Sequence, residues 1–250
     1  VARKGNGSSD YILCDTVFST PTAYSFHFWY RNDTTQIAVI NQPFAIDLSA
    51  GTGAGFSWDH SNVDFRQAIF HHTGSTWTKA KIASALSADT WYGIGGRWNG
   101  SNLLEVFLNG VADGSDTPDG ITSSAAYKLG LFASKHGTDE FDDGELAEVV
   151  LYLNVALSDA EMLALGKGVS PLLVRPGSIT KHLKLIRPMS EEFGDTLTIS
   201  GTTVVAHPPK IIYPAPPFIS YPTAAAPAGN APTGHLLGPL YGPLGGPIAV

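Results

Sequence analysis

Apolar positions along this chain recur in short alternating runs, one roughly every ten residues, with Gly, Asn, Asp and Ser between them. A two-residue period is that of strands with one buried face. Residues 11–30 read as two strands, the second being the aromatic run Tyr24-Ser25-Phe26-His27-Phe28-Trp29-Tyr30. Asn32-Asp33 marks a turn. Short strands follow at 36–40, 44–48, 56–58, 65–72 and 77–82. The glycine-rich stretch 49–55 has neither a Walker lysine nor a helix pattern after it, so it reads as a hairpin loop. This cadence is that of a β-sandwich.

Residues 91–157 carry the most specific pattern. They open with Trp91-Tyr92-Gly93 and reach a turn at Asn99-Gly100, where both residue types tolerate positive φ. In the strand 103–108, Leu104, Val106 and Leu108 share one face, and Glu105 and Asn109 fall on the other. The strand stops at Asn109-Gly110-Val111. A loop leads to Lys128-Leu129-Gly130-Leu131, and Phe141-Asp142-Asp143-Gly144 turns into the strand 145–152. Ser158 and Glu161 form a capping box with Leu157 and Met162 as its hydrophobic staple, and Gly166 and Gly168 end the short helix. The Trp-Tyr opening, the Asn-Gly hairpin, the Phe-x-x-Gly turn and the Leu-Ser-x-x-Glu helix resemble, in order and spacing, the laminin-G-like, concanavalin A-like lectin/glucanase jelly roll. That resemblance implies an all-β, two-sheet sandwich with one short helix over residues 1–168.

The chain changes character after Gly168. Residues 172–174 and 179–186 read as strands, and 196–205 reads as a Thr- and Val-rich hairpin. A β extension over 169–213, packed on the sandwich, is expected. It resembles a C-terminal extension of some phage-encoded jelly-roll proteins, on Gly201-Thr202-Thr203-Val204 and His207-Pro208. Beyond it, 214–250 is a Pro/Gly-rich tail. Eleven of the 17 prolines lie between Pro208 and Pro247, and no charged residue follows Lys210. A four-residue unit repeats through Pro239, Leu240, Pro243, Leu244, Pro247 and Ile248. Such a segment cannot build a core of its own, which points to an arm that docks on a neighbouring subunit or a shell. Wrapping back over its own domain is the alternative.

Composition narrows the partners. Net charge is −7, which argues against nucleic acid. Only 15% of residues are charged, which suits a surface that buries itself against neighbours. The single cysteine, Cys14, allows no intrachain disulfide and reads as a buried apolar residue. No apolar run approaches the roughly 20 residues of a membrane span. The N-terminus shows no signal-peptide core, although a cleaved leader would leave no trace. The strand 146–153 is apolar on both faces apart from Glu148, so something covers its second face. The 172–205 extension is the obvious cover, and a partner subunit is the alternative.

Three sets of side chains are candidates for chemistry. Glu140, Asp142 and Glu145 match the Glu-x-Asp-x-x-Glu spacing of laminarinase-like glucanases on the resembled fold, but Asp143-Gly144 interrupts the run as an ordinary turn would. Asp139, Asp142 and Asp143, or Asp113, Asp116 and Asp119, could supply oxygens to a rim calcium, although Ala147 stands where the resembled family often has Asp. His71 and His72 point to opposite faces and cannot readily share a metal. Trp58 and Trp77 flank loops and are the expected sugar-stacking aromatics, while Trp29, Trp91 and Trp98 should build the core.

Three functions follow as expectations. The first is a non-enzymatic phage virion protein, a capsid decoration or other head-associated component, located in the virion and contacting its own copies and a capsid protein. The second is an extracellular carbohydrate-binding module that meets surface glycans. The third is a glycoside hydrolase. No cofactor is required, calcium being the one possible ion, and neither nucleic acid nor membrane is an expected partner.

Overall fold

Two antiparallel sheets face each other across an aromatic core. The computed structural model describes residues 2–32, 41–47, 55–60, 67–72, 77–83, 86–118, 127–134, 137–185, 196–206 and 211–212. Strands β1 to β5 are Ala2–Lys4, Tyr11–Cys14, Tyr24–Arg31, Phe44–Asp47 and Gly55–His60. Strands β6 to β10 are Gln67–His72, Trp77–Lys81, Trp91–Trp98, Leu104–Leu108 and Val111–Asp116. Strands β11 to β15 are Lys128–Leu131, Glu145–Leu153, Lys181–Leu183, Leu197–Ser200 and Thr203–Val205, and helix α1 is Asp159–Gly166. The first sheet runs β10-β9-β8-β3-β12-β1-β15, with β13 also paired to β12. The second runs β14-β2-β11-β4-β5-β6-β7. The chain divides into two units, Val1–Pro214 and Ala215–Val250. The expected strand at 36–40, the loop 49–54 and the arm 214–250 lie outside the described residues.

Alternation in β3 sets the layering. Tyr24, Phe26, Phe28 and Tyr30 turn inward and are fully buried. They meet Phe44, Phe56 and Trp58 of the opposite sheet, with Tyr24 stacked on Phe56 at 3.7 Å and Phe26 on Phe44 at 4.6 Å between ring centroids. Val106 and Leu146 join this core as expected, and Leu108 packs against it half-buried. His71 is also inside, its Nδ1 3.0 Å from the Tyr24 hydroxyl. The alternate β3 residues, Ser25, His27, Trp29 and Arg31, face the other way. Trp91 lies on that side too: it is half-buried against the cluster of Ala2, Trp29, Ala147 and Ile211 rather than inside the sandwich.

The second face of β12 is covered from two sources. Val150 and Tyr152 pack under Met162 and Leu165 of α1 and under Val174, and the Tyr152 hydroxyl donates to the Val174 carbonyl at 2.9 Å. The extension therefore supplies only part of the cover. Its remaining strands join the sheets edge to edge, β13 and β15 in the first and β14 in the second. Residues 171–173 form a 3-10 turn rather than a strand, because Pro171 starts it and the Ser170 hydroxyl accepts from the Leu172 amide. Residues 196–205 are not a hairpin either. β14 pairs with β2 and β15 with β1, so the chain crosses between sheets at Ser200-Gly201-Thr202 and closes that side of the sandwich.

The polar residue in the middle of β12, Glu148, has a structural explanation. Ala147 pairs with Trp29 and Val150 with His27, so Glu148 and Val149 oppose a single residue of β3 in a bulge. Glu148 takes φ 50° there, and its carboxylate reaches His182 Nε2 of β13 at 2.9 Å in a fully buried pair. The capping box is formed: the Ser158 hydroxyl accepts from the Glu161 amide, and the Glu161 carboxylate accepts from the Ser158 amide at 2.7 Å.

Candidate functional site

The outer face of the second sheet follows from the same alternation. In β5, Phe56 and Trp58 point into the core, which sends Ser57 and Asp59 outward. Register places Lys79 of β7 level with Ser57 and Lys81 level with Asp59, through Phe70 and Ala68 of β6. Trp77 stands one step further along the same face, at the edge of the sheet. Its side chain is 48% exposed, and Lys79 is exposed beside it. Asp59 is 4% exposed and accepts from the Ser57 hydroxyl at 2.8 Å and from the Gln42 side chain. Burial, with Glu140 nearby, raises its carboxyl from the ordinary aspartate range to about 8, against the pull of Ser57, Gln42 and Lys79. An apolar ring thus shares one face with a hydroxyl, an amide, a carboxyl and an ammonium group.

Trp58 does not take part. It is fully buried, edge-on to Phe28 at 6.3 Å, and has no face to offer a ligand. The reason lies in the strand period: Phe56 and Trp58 are the two large apolar residues of β5 and must share its inner side. Ser57 and Asp59 were not anticipated as site residues. The signal was their alternation with Phe56 and Trp58, whereas the Gln42 partner comes from the segment just ahead of neighbouring strand β4.

The expected calcium ligands are occupied by other tasks. Asp142 is buried, accepts from the Tyr30 hydroxyl at 3.1 Å and from the Gly144 amide at 2.9 Å, and has its carboxyl raised to about 7, mainly by burial. Asp139 is exposed and accepts from the Glu140 amide at 2.9 Å. Asp143 is buried beside them. Among the described residues, no three His, Cys, Asp or Glu side chains are set to share a metal ion. In the second set, Asp113 accepts from the Ala83 amide at 2.8 Å and Asp116 from the Lys79 amide at 3.4 Å. Asp116 therefore ties edge strand β10 of one sheet to edge strand β7 of the other, and Asp113 ties it to the segment just after β7. Asp119 lies outside the described residues, as do the arm residues Pro239, Leu240, Pro243, Leu244, Pro247 and Ile248.

Of the glucanase-like triplet, Asp142 is committed as above, and Glu145 is buried in an ion pair with Arg31 at 3.1 Å. Arg31 also holds Asp89 at 2.8 Å. Glu140 has φ 51° and lies half-exposed near Asp59.

The fold has close counterparts among solved structures. A heptameric SAP-like pentraxin from Limulus polyphemus aligns with TM-score 0.57 and 12% identity, over 81% of this chain and 93% of that one. A Bacteroides ovatus protein whose name gives carbohydrate binding as its expected role aligns with TM-score 0.58 and 15% identity, over 81% of this chain and 59% of that one. Domain 4 of AbnA, a GH43 extracellular arabinanase from Geobacillus stearothermophilus solved with arabinotriose, aligns with TM-score 0.54 and 18% identity, over 66% of this chain and 76% of that one. At these identities the likeness is one of fold. No curated protein sequence matches the chain. The family model of the concanavalin A-like lectin/glucanases superfamily matches residues 6–162, and with the two-sheet sandwich and capped helix found over the same span, the chain belongs to that superfamily.

Proposed function

We propose that this protein is a carbohydrate-binding module that holds its ligand on the outer face of the second sheet. The observation that carries the reading is Trp77, 48% exposed at the end of a face that also bears the exposed Lys79 and the half-buried Lys81. An indole takes the C–H face of a sugar ring, and polar atoms beside it take the hydroxyls. The names of the Bacteroides and Geobacillus counterparts, a carbohydrate-binding protein and an arabinanase domain with arabinotriose, support the same reading. An extracellular location goes with it.

We read the module as binding without hydrolysis. Asp142 and Glu145 already serve Tyr30 and Arg31, which leaves no free carboxylate pair in the glucanase-like run. The virion reading rests on the resemblance carried by residues 201–208, the low charge, the absent catalytic set and the neutral tail, and its phage component finds no support in the fold counterparts. Glycan-array binding by the full chain, followed by calorimetry on the best ligand, tests the proposal. Trp77→Ala should weaken binding by about tenfold or more, roughly 1.4 kcal/mol. Unchanged binding in that variant, or no glycan bound by the wild type, would overturn it.

A further inference from the structure

The two sides of the sandwich end differently. On one side β7 and β10 meet, and that edge is guarded. Asp116 accepts from the Lys79 amide, Asp113 accepts from the Ala83 amide, and the register of β10 shifts between Ala112 and Gly114. Charges and bulges of this kind keep an edge strand from pairing with another chain. On the other side β14 and β15 end the two strand orders. The stretch 196–206 that holds them has no charged residue and no proline. Ile199 is 42% exposed there, next to an exposed Thr198.

Register fixes which backbone groups of β14 look outward. In an antiparallel ladder, opposed residues alternate between pairs that exchange both backbone bonds and pairs that exchange none. The Asp15 amide donates to the Thr196 carbonyl at 3.1 Å, so that pair is a bonded one. The register continues with Leu197 opposite Cys14, Thr198 opposite Leu13, Ile199 opposite Ile12 and Ser200 opposite Tyr11. Thr198 and Ser200 therefore bond to β2, and the N–H and C=O groups of Leu197 and Ile199 point away from it. Among the described residues, no strand lies on that side of β14. The side chains of Leu197 and Ile199 share the inner face with Cys14 and Ile12, and Leu197 packs against the core.

We propose that β14 is a self-pairing edge that joins two copies of this chain, strand against strand and antiparallel, about a two-fold axis at Thr198. In that register Leu197 of each copy lies opposite Ile199 of the other. Both residues turn their N–H and C=O groups outward, so each such pair exchanges both bonds and its two apolar side chains cover each other. Thr198 meets its own counterpart on the axis as a pair without backbone bonds. A two-fold contact needs a patch complementary to itself, and this alternation supplies one. The two seven-stranded sheets then run on as one. Trp77 stands on β7, at the far end of the strand order, so the dimer leaves that face open and presents it twice. The edge contact goes beyond the saccharide reading and does not depend on what Trp77 binds.

Sedimentation velocity of the full chain over about 1–100 μM tests it, since so short an edge should dimerise with a micromolar dissociation constant. Ile199→Lys puts a charge into each apolar pair and should weaken the dimer by about tenfold or more. Cysteine trapping tests the register. Thr198→Cys should give a disulfide-linked dimer under mild oxidation, because Cα atoms of an unbonded antiparallel pair lie about 4.5 Å apart. Ser200→Cys, which would lie opposite Thr196, should not cross-link. Thr198 is exposed, so its variant carries the test if Ile199→Lys does not fold. A monomer throughout the range, a dimer that Ile199→Lys leaves intact, or Thr198→Cys cross-linking no better than Ser200→Cys would each overturn the proposal.

Discussion

Trp58 and Trp77 show what one residue's position in the strand period decides. Both follow loops and both are large aromatics, yet one lies at 0% and the other at 48% exposure. Their replacements should separate cleanly in denaturant unfolding. Trp58→Ala empties a site inside the aromatic core and should cost about 3–5 kcal/mol. Trp77→Ala removes a half-exposed ring and should stay within about 1 kcal/mol. An equal cost at the two positions would contradict the layering. The signal for the burial of Trp58 was in the pattern, because Phe56 and Trp58 outweigh Ser57 and Asp59 as inward residues, but its place beside a loop pointed to a sugar-stacking ring instead. The burial of Asp59 was not, since Gln42 and Glu140 meet it only through the tertiary fold.

At the level of elements, the strands with strong alternation were legible and the polar edges were not. β10, Val-Ala-Asp-Gly-Ser-Asp, reads as a loop, and its pairing with β9 depends on the Asn109-Gly110 turn, where φ is 51° and 82°. Its carboxylates then serve the opposite sheet. Asp113→Ala should cost up to about 1 kcal/mol, since it removes the acceptor of an exposed Ala83 amide that water can then reach. Gly114→Ala should also destabilise, by about 1–3 kcal/mol, since a Cβ there would press on the Lys81 carbonyl. Thermal unfolding of the two variants checks the contact between β10 and the 79–83 segment; wild-type stability in both would refute it. The crossing of 196–205 between sheets was hidden for a different reason. A Thr/Val run broken by Ser-Gly carries the same local signal whether its halves pair with each other or with separate sheets.

For the whole molecule, burial of titratable groups shapes stability. Asp59 and Asp142 have folded-state carboxyls raised to about 8 and about 7, so the folded chain binds more protons than the unfolded one above the ordinary aspartate range. Their contribution is greatest in acid and is lost as pH rises through those values. His27 acts in the opposite sense, since burial lowers its imidazole to about 3 and stability is lost as pH falls below its unfolded value near 6.5. Above about pH 6.5 the His27 contribution is essentially complete, and the two carboxyls should lower stability toward about pH 8 by an amount on the order of a few kcal/mol. Melting curves of wild type, Asp59→Asn and Asp142→Asn should show the slope flattening in each variant. A stability that rises over this window would contradict the assignment. The central claim, that the chain is a lectin-like module whose ligand lies on the Trp77 face, is tested most directly by NMR of the tryptophan indole N–H groups during titration with the glycan selected on the array. The account predicts that the Trp77 signal shifts with saturation while those of the buried Trp58 and Trp98 stay in place. Saturable shifts at other indoles with Trp77 unmoved would contradict it.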